Sequence, residues 1–271
     1  MTEPAPSIAV EDRGDTRWVT LVNPTARNAY DQDMALSIAD VLDSCTDVRS
    51  VVLTGSPGGF CAGGMLAGMS EPTARGMRQL YRASMRMFDS IRSCPRPVIA
   101  AVNGAAAGGG NELVVACDLA IASRRATFGQ TGPRVGSSPV TGATNVMGVQ
   151  IGEKRAKEMA MLCRRYSADQ ALELGLVNKV VDDDALEAEV ERWCAEISAL
   201  SPRYLEITKV SSNIWWNSAR DSFATGTGML VQAIGSPDMV EGANAFLEKR
   251  PASFELDPGE LAPPGSTEPT Q

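Results

Sequence analysis

Residues 102–123 read VNGAAAGGGNELVVACDLAIAS, an apolar strand that runs into Gly108, Gly109 and Gly110 and leaves through a helix whose first turn carries Glu112. Residues without a Cβ let the backbone turn sharply and let a ligand lie against peptide N–H groups. The first amides of the helix that follows have no intrahelical partner, and the helix dipole adds partial positive charge there. Such an end favours an oxyanion, a phosphate or a carboxylate. Glu112 stands on a wall otherwise built of Leu113, Val114, Val115 and Ala116. Burial there raises its pKa while the dipole lowers it, and a carboxyl group balanced between the two can move protons. Taken alone, the triplet also reads as a plain strand-to-helix turn with a glutamate in its favoured first-turn position.

A second glycine loop, GSPGGFCAGGML at residues 55–66, follows the apolar run at 50–54. Two glycine loops, each leaving a strand, can present two backbone N–H groups to one oxygen, the geometry of an oxyanion hole. The alternative is that Gly58, Gly59, Gly63 and Gly64 only shape a surface loop.

The chain of 271 residues has no histidine, so no Ser-His-Asp or Cys-His triad and no histidine-containing zinc site can be built from it. Proton transfer falls to Glu, Asp, Tyr, Lys or Cys. A formal net charge of −8 argues against a nucleic-acid or anionic-membrane surface. The six cysteines show no CxxC spacing and lie mostly in apolar runs, which suggests neither a metal site nor a disulfide framework. A reducing, cytoplasmic compartment is expected. The start MTEPAPSIAVEDRGD has neither a basic n-region nor an apolar h-region, and no window approaches a membrane span.

Alternation at 8–10 and 18–22 predicts a hairpin, and the run 50–54 a buried strand. Residues 31–45 have helical periodicity, with Met34, Ile38, Val41 and Leu42 on one face. A long helix is expected over 73–91, a strand over 97–102, a helix over 111–116 and a strand over 117–122. The repeated unit implies a layered α/β core with right-handed crossovers. From 152 onward the pattern is mostly helical: 153–163, a Ser167-capped helix, a strand at 177–181, then helices over 185–199, 202–216, 219–233 and 238–248. Residues 1–200 read as the core, 201–250 as a C-terminal helical region, and 251–271, rich in Pro, Gly and acidic residues, as a flexible tail.

Four ordered motifs, FCAGGML, VNGAAAGGGNELVVACDLAIAS, ATFGQTGPRVGSSP and EGANAFLEKRPASF, resemble those of the crotonase superfamily of enoyl-CoA hydratases and isomerases over residues 8–254. Together they are far more specific than either glycine loop. The resemblance implies a crotonase-like α/β spiral of β-α-β repeats, a C-terminal helical region used for trimerisation, and a homotrimer or dimer of trimers. It also implies acyl-CoA thioester substrates, with coenzyme A as part of the substrate and no tightly bound cofactor. The oxyanion-hole amides of the family fall on Gly64 and Gly109, where two donors are worth about 3–4 kcal/mol each as an enolate forms. Met65 stands where many relatives have Asp. Ala26, Arg27 and Ala62 match positions that contact CoA, and Phe246 and Lys249 match residues that reach it across a subunit boundary.

Glu112 coincides with the first glutamate of the hydratase pair, whereas the second falls on Gly132. The segments FGQTGPRVGS, LCRRYSADQALELGLVNKVV and RWCAEI are similar to the branch of 1,4-dihydroxy-2-naphthoyl-CoA synthases and 2-ketocyclohexanecarboxyl-CoA hydrolases. In synthases with glycine at the Gly132 position a bicarbonate stands in for the carboxylate, and Ser137 matches a serine used near the acyl group. Pro139 replaces an Asp of that branch, Asn111 stands where the synthases have His, and the tyrosine expected near Ile234 is absent. Arg134 could hold an anionic group, although a surface arginine is the default reading, and Tyr81, Tyr166 and Tyr204 could donate protons, although partly buried structural tyrosines are commoner. Trp215 and Trp216 fit packing or a subunit interface. The leading expectation is an enoyl-CoA hydratase-type hydro-lyase. A β-ketoacyl-CoA carbon–carbon hydrolase or Dieckmann-type cyclase is the alternative, and a non-catalytic CoA-binding oligomer the third reading.

Overall fold

The computed structural model describes residues 5–65 and 72–255, so part of the loop after Met65 and most of the expected tail lie outside the described residues. Nine described strands make two sheets. The larger takes, in spatial order, β1 (Ser7–Arg13), β2 (Thr16–Val22), β3 (Ser50–Gly55), β4 (Val98–Val102), β6 (Leu119–Ser123) and β9 (Lys179–Val181). The smaller takes β5 (Ala105–Ala107), β7 (Thr127–Gly129) and β8 (Arg165–Ser167). β1 and β2 form the expected hairpin, with Gly14 at φ 58° in its turn, and from β2 to β9 every pairing in the large sheet is parallel.

Helices α1 (Gln32–Asp43), α2 (Ala74–Ser93) and α3 (Gly109–Ala116) link successive strands of the large sheet, which is the β-α repeat the sequence predicts. Asp31 caps α1 by accepting the Met34 amide at 2.9 Å, and Thr73 caps α2 through the Gly76 amide. Both faces of the central strands β3, β4 and β6 are covered, so these read as nearly continuous apolar runs, whereas the edge strand β1 is largely exposed. Val19, Leu21, Val51, Leu53, Ala100 and Val102 pack toward α1 and α2. Trp18, Val52, Ile99, Ala101 and Ile121 pack on the other side against Val190, Cys194 and Ile197 of a later helix.

The small sheet was not legible in the sequence, because three-residue strands carry too little periodicity to be seen. α4 (Met147–Ile151), α5 (Glu153–Met161), α6 (Ala168–Leu174) and α7 (Leu186–Ser198) follow, α6 opening with a full capping box between Ser167 and Gln170. The helix predicted over 202–216 is two, α8 (Pro202–Ser212) and α9 (Ile214–Ser218). They part at Asn213, whose side-chain amide donates to the Arg92 carbonyl instead of facing solvent. α10 (Arg220–Gln232) and α11 (Pro237–Leu247) complete the described helices. No described helix is long and apolar enough to cross a membrane.

The C-terminal helices are fastened to the core by a buried cation. Lys209 of α8 is paired with Asp118 at 2.7 Å and donates to the Ile91 and Arg96 carbonyls. Trp216 is buried on Phe223, donates to Asp89 and lies beneath the Arg92 guanidinium, while Trp215 is exposed. α11 seats directly on the turn at Gly132–Val135: a Cβ added to Gly242 would stand 2.4 Å from the Val135 carbonyl carbon, and one on Gly136 would stand 2.3 Å from the Asp238 oxygen.

Candidate active site

The two glycine loops lie against one another. Beyond β3 the chain runs beside β5, with the Phe60 and Cys61 amides both donating to the Ala105 carbonyl and the Ala107 amide donating to Cys61. A Cβ on Gly63 would come within 2.8 Å of the Gly109 nitrogen, and one on Gly110 within 2.0 Å of the Cys61 oxygen. Side chains at these positions would push the loops apart, which is why both must be glycine.

The contact fixes two amides. Gly64 bridges Tyr30 in parallel fashion, the Tyr30 amide donating to the Gly63 oxygen and the Met65 amide to the Tyr30 oxygen. The pattern turns the N–H of Gly64 itself away from Tyr30. Gly108, at φ 53°, turns the chain into α3, so that Gly109 opens the helix. Among the described residues neither amide donates to another backbone oxygen. Both glycines line one cleft, together with Ala62, Glu112, Gly132 and Ser137. Five residues predicted to be catalytic, Gly64, Gly109, Glu112, Gly132 and Ser137, are therefore brought together from segments far apart in sequence.

Glu112 is buried, and its carboxylate is held by the loop across the cleft. Oε1 accepts the Thr141 amide at 2.8 Å and the Ala143 amide at 3.2 Å, and Oε2 accepts the Thr141 hydroxyl at 2.7 Å. Burial pushes its pKa up from the ordinary glutamate value, against these three hydrogen bonds, which pull it down. Desolvation wins, which suits a group that must both accept and return a proton near neutrality. The clamp by Thr141 was not visible in the sequence, since nothing local marks a loop thirty residues on as the partner of Glu112.

Gly132 packs tightly against the turn that follows it. A Cβ there would meet the Ser137 oxygen, the Ser138 Cα and the Pro139 Cδ, all at 2.9 Å. The Ser137 amide donates back to the Gly132 oxygen at 2.9 Å, closing this turn. The chain has thus folded its own backbone into the direction a second carboxylate would take, and an anion serving that role would have to approach from the cleft.

The proposed CoA contacts divide into two groups. Arg27, left-handed at φ 51° and exposed, offers its carbonyl to the Ala62 amide at 3.1 Å, which ties the Ala26–Arg27 loop to Ala62, itself part of the cleft lining. The buried Asn28 holds this loop by accepting from the Asn23 amide and the Ser56 hydroxyl and by donating to the Ser56 and Gly59 carbonyls. Phe246 and Lys249 lie at the end of α11 and do not line the cleft of their own chain.

Of the tyrosines expected as donors only Tyr81 lines the cleft. Tyr204 is exposed on α8 and Tyr166 is buried in β8, and neither lines the cleft. Arg134 is exposed and donates to the Cys163 carbonyl, a surface role. Tyr30, which the sequence reading passed over, does line the cleft, as does Gln130, whose buried side-chain amide has no partner among the described residues.

A family model described as Enoyl-CoA hydratase/isomerase matches residues 15–257. The fold is shared with solved structures. An enoyl-CoA hydratase from Mycobacterium avium subsp. paratuberculosis K-10 is 29% identical with a TM-score of 0.83, covering 93% of this chain and 100% of that one. An enoyl-CoA hydratase subunit from Geobacillus kaustophilus HTA426 is 32% identical with a TM-score of 0.72, covering 94% and 99%. At 22% identity, a Bacillus halodurans enoyl-CoA hydratase still gives a TM-score of 0.82 over 88% of this chain and 99% of its own, a likeness of fold alone.

Proposed function

The chain belongs to the enoyl-CoA hydratase/isomerase family, and from that premise we propose that this acyl-CoA-processing enzyme adds water to a 2-enoyl-CoA thioester. The observation that carries the reading is the pair of amides at Gly64 and Gly109, neither of which donates to a backbone oxygen among the described residues, in one cleft with the buried Glu112. In this reading the thioester oxygen binds between the two amides. Water gives a proton to the Glu112 carboxylate as its oxygen attacks Cβ, and the charge that moves onto the thioester oxygen meets donors already in place. Donors fixed by the fold need no reorganisation as charge develops, and removing one such donor typically costs about 3–4 kcal/mol of the barrier.

Ala26, Arg27 and Ala62 are assigned to the CoA moiety, with Phe246 and Lys249 reaching it from a neighbouring subunit. That assignment goes with a homotrimer or a dimer of trimers and a cytoplasmic location. The apolar face left open on the C-terminal helices, with Ile207, Val210, Ile214, Trp215 and Met229 exposed, supports the assembly. A carbon–carbon hydrolase or Dieckmann-type cyclase on β-ketoacyl-CoA is favoured by a different observation, Ser137 and the carboxylate-free Gly132 on the same wall.

The test is spectroscopic. Crotonyl-CoA or a longer 2-enoyl-CoA should lose its conjugated absorbance with the wild-type protein, and Glu112→Gln should abolish the loss. Cleavage of a cyclic β-ketoacyl-CoA with no enoyl-CoA turnover, particularly if it depends on bicarbonate, would replace hydration by the second chemistry. Tight CoA-thioester binding without any α-proton exchange in heavy water would leave only a binding oligomer.

A further inference from the structure

Hydration requires a second proton event, at the α-carbon, and Gly132 has no group to perform it. A phenol lies next to the place where the charge develops. Tyr30 follows directly on the loop that Asn28 ties down, and it is held by its own bridge to Gly64. It is only 3% exposed, yet its ring lines the cleft. The ring passes beneath both amide-bearing glycines. A Cβ built on Gly109 would stand 2.3 Å from the Tyr30 hydroxyl, and one built on Gly64 would stand 3.8 Å from Cε2 of the same ring. Ser84 of α2, whose hydroxyl donates to the Leu80 carbonyl at 2.8 Å, lines the same wall.

The surroundings settle which form of the phenol is present. Burial and the negative charge of Glu112 both push its pKa upward, so the hydroxyl keeps its proton in the resting protein. It is therefore an acid waiting for a base stronger than phenolate. The α-carbon of a thioester enolate is such a base. Gly109 also has to be glycine for this reason, since any Cβ would occupy the position of the hydroxyl.

We propose that Tyr30 is a catalytic residue, the acid that protonates the α-carbon in place of the side chain Gly132 lacks. The inference rests on the hydratase reading above. The O–H bond of water breaks, its oxygen bonds to Cβ, and its proton goes to Glu112. The π electron pair moves into the enolate held at Gly64 and Gly109. The Tyr30 O–H bond then breaks, the proton bonds to the α-carbon as the enolate pair returns, and the O–H pair stays on the phenolate. Glu112, now a carboxylic acid, returns its proton to the phenolate. One water has added across the double bond and both residues are restored, with no further reactant.

The decisive variant is Tyr30→Phe, which removes the hydroxyl and keeps the ring. Its kcat for enoyl-CoA hydration should fall by about 10²–10⁴-fold, the range of a lost general acid, while KM and the thermal midpoint stay close to wild type. Incorporation of deuterium at the α-carbon of a saturated acyl-CoA in heavy water should fall with it. Wild-type kcat in Tyr30→Phe would overturn the assignment and leave the hydratase reading intact. If the wild type itself neither hydrates enoyl-CoA nor exchanges α-protons, the hydratase reading fails and takes this step with it. Should Tyr30→Phe lose its fold, 3-fluorotyrosine at position 30 preserves the shape and makes the phenol more acidic. A kcat unchanged by that substitution would equally overturn the role.

Discussion

Glu112 shows how a single residue is set for chemistry by what closes around it. Its apolar neighbours on α3 were readable in the sequence, but the three donors from Thr141 and Ala143 come from a loop on the far side of the cleft. Burial raises the Glu112 pKa, and hydration uses the ionised form as base. The rate should therefore climb as pH rises through that raised pKa and should be lost as pH falls below it. Thr141→Val removes the hydroxyl donor and with it part of what stabilises the carboxylate. Its pH–kcat/KM profile should have the acidic limb displaced to higher pH, with activity at high pH retained. An unmoved limb would show that the hydroxyl does not reach the carboxylate in solution.

Among the elements, α11 and the turn it rests on carry the most consequence for the cleft. Gly136 and Gly242 meet backbone to backbone, and the turn between Gly132 and Gly136 leads straight into Ser137 and Pro139 of the cleft wall. Overpacking such a contact typically costs about 1–3 kcal/mol. Gly242→Ala is expected to lower stability by that amount in urea unfolding and also to reduce kcat/KM for an enoyl-CoA, because the displaced turn carries Ser137 and its neighbours with it. Loss of stability with undiminished activity would show that α11 and the cleft wall move independently. Helices of ordinary length were legible because their apolar residues recur at the helical period. β5, β7 and β8 were not, since three residues show no period at all, and their pairing joins segments up to forty residues apart.

For the molecule as a whole, the helices after residue 200 are bound to the core by Lys209 as well as by apolar packing of Trp216 and Phe223. The ammonium reaches Asp118 at the start of β6 and two carbonyls near the end of α2. Lys209→Met keeps the stem and removes the charge, leaving Asp118 and both carbonyls short of a partner. Deleting one member of a buried pair typically costs about 3–5 kcal/mol, so chemical denaturation should show a loss of that size. Limited proteolysis should cut first within residues 201–250. A loss below about 1 kcal/mol would mean that the pair behaves as an exposed one.

The sequence by itself determined the α/β repeat, both glycine loops, Glu112 as the carboxylate beside them, and the absence of a second one at Gly132. Each of these is a property of residue type or of local spacing, which is what a linear chain displays. The tertiary structure alone decided that the loops abut at Gly63, Gly109 and Gly110, that the space beside Gly132 is filled by the chain's own turn, and that Tyr30 rather than Tyr166 or Tyr204 faces the cleft. Those outcomes depend on which side of a strand or loop faces which neighbour. A phenol placed about eighty residues ahead of Gly109, whose backbone it underlies, leaves no local mark of that contact.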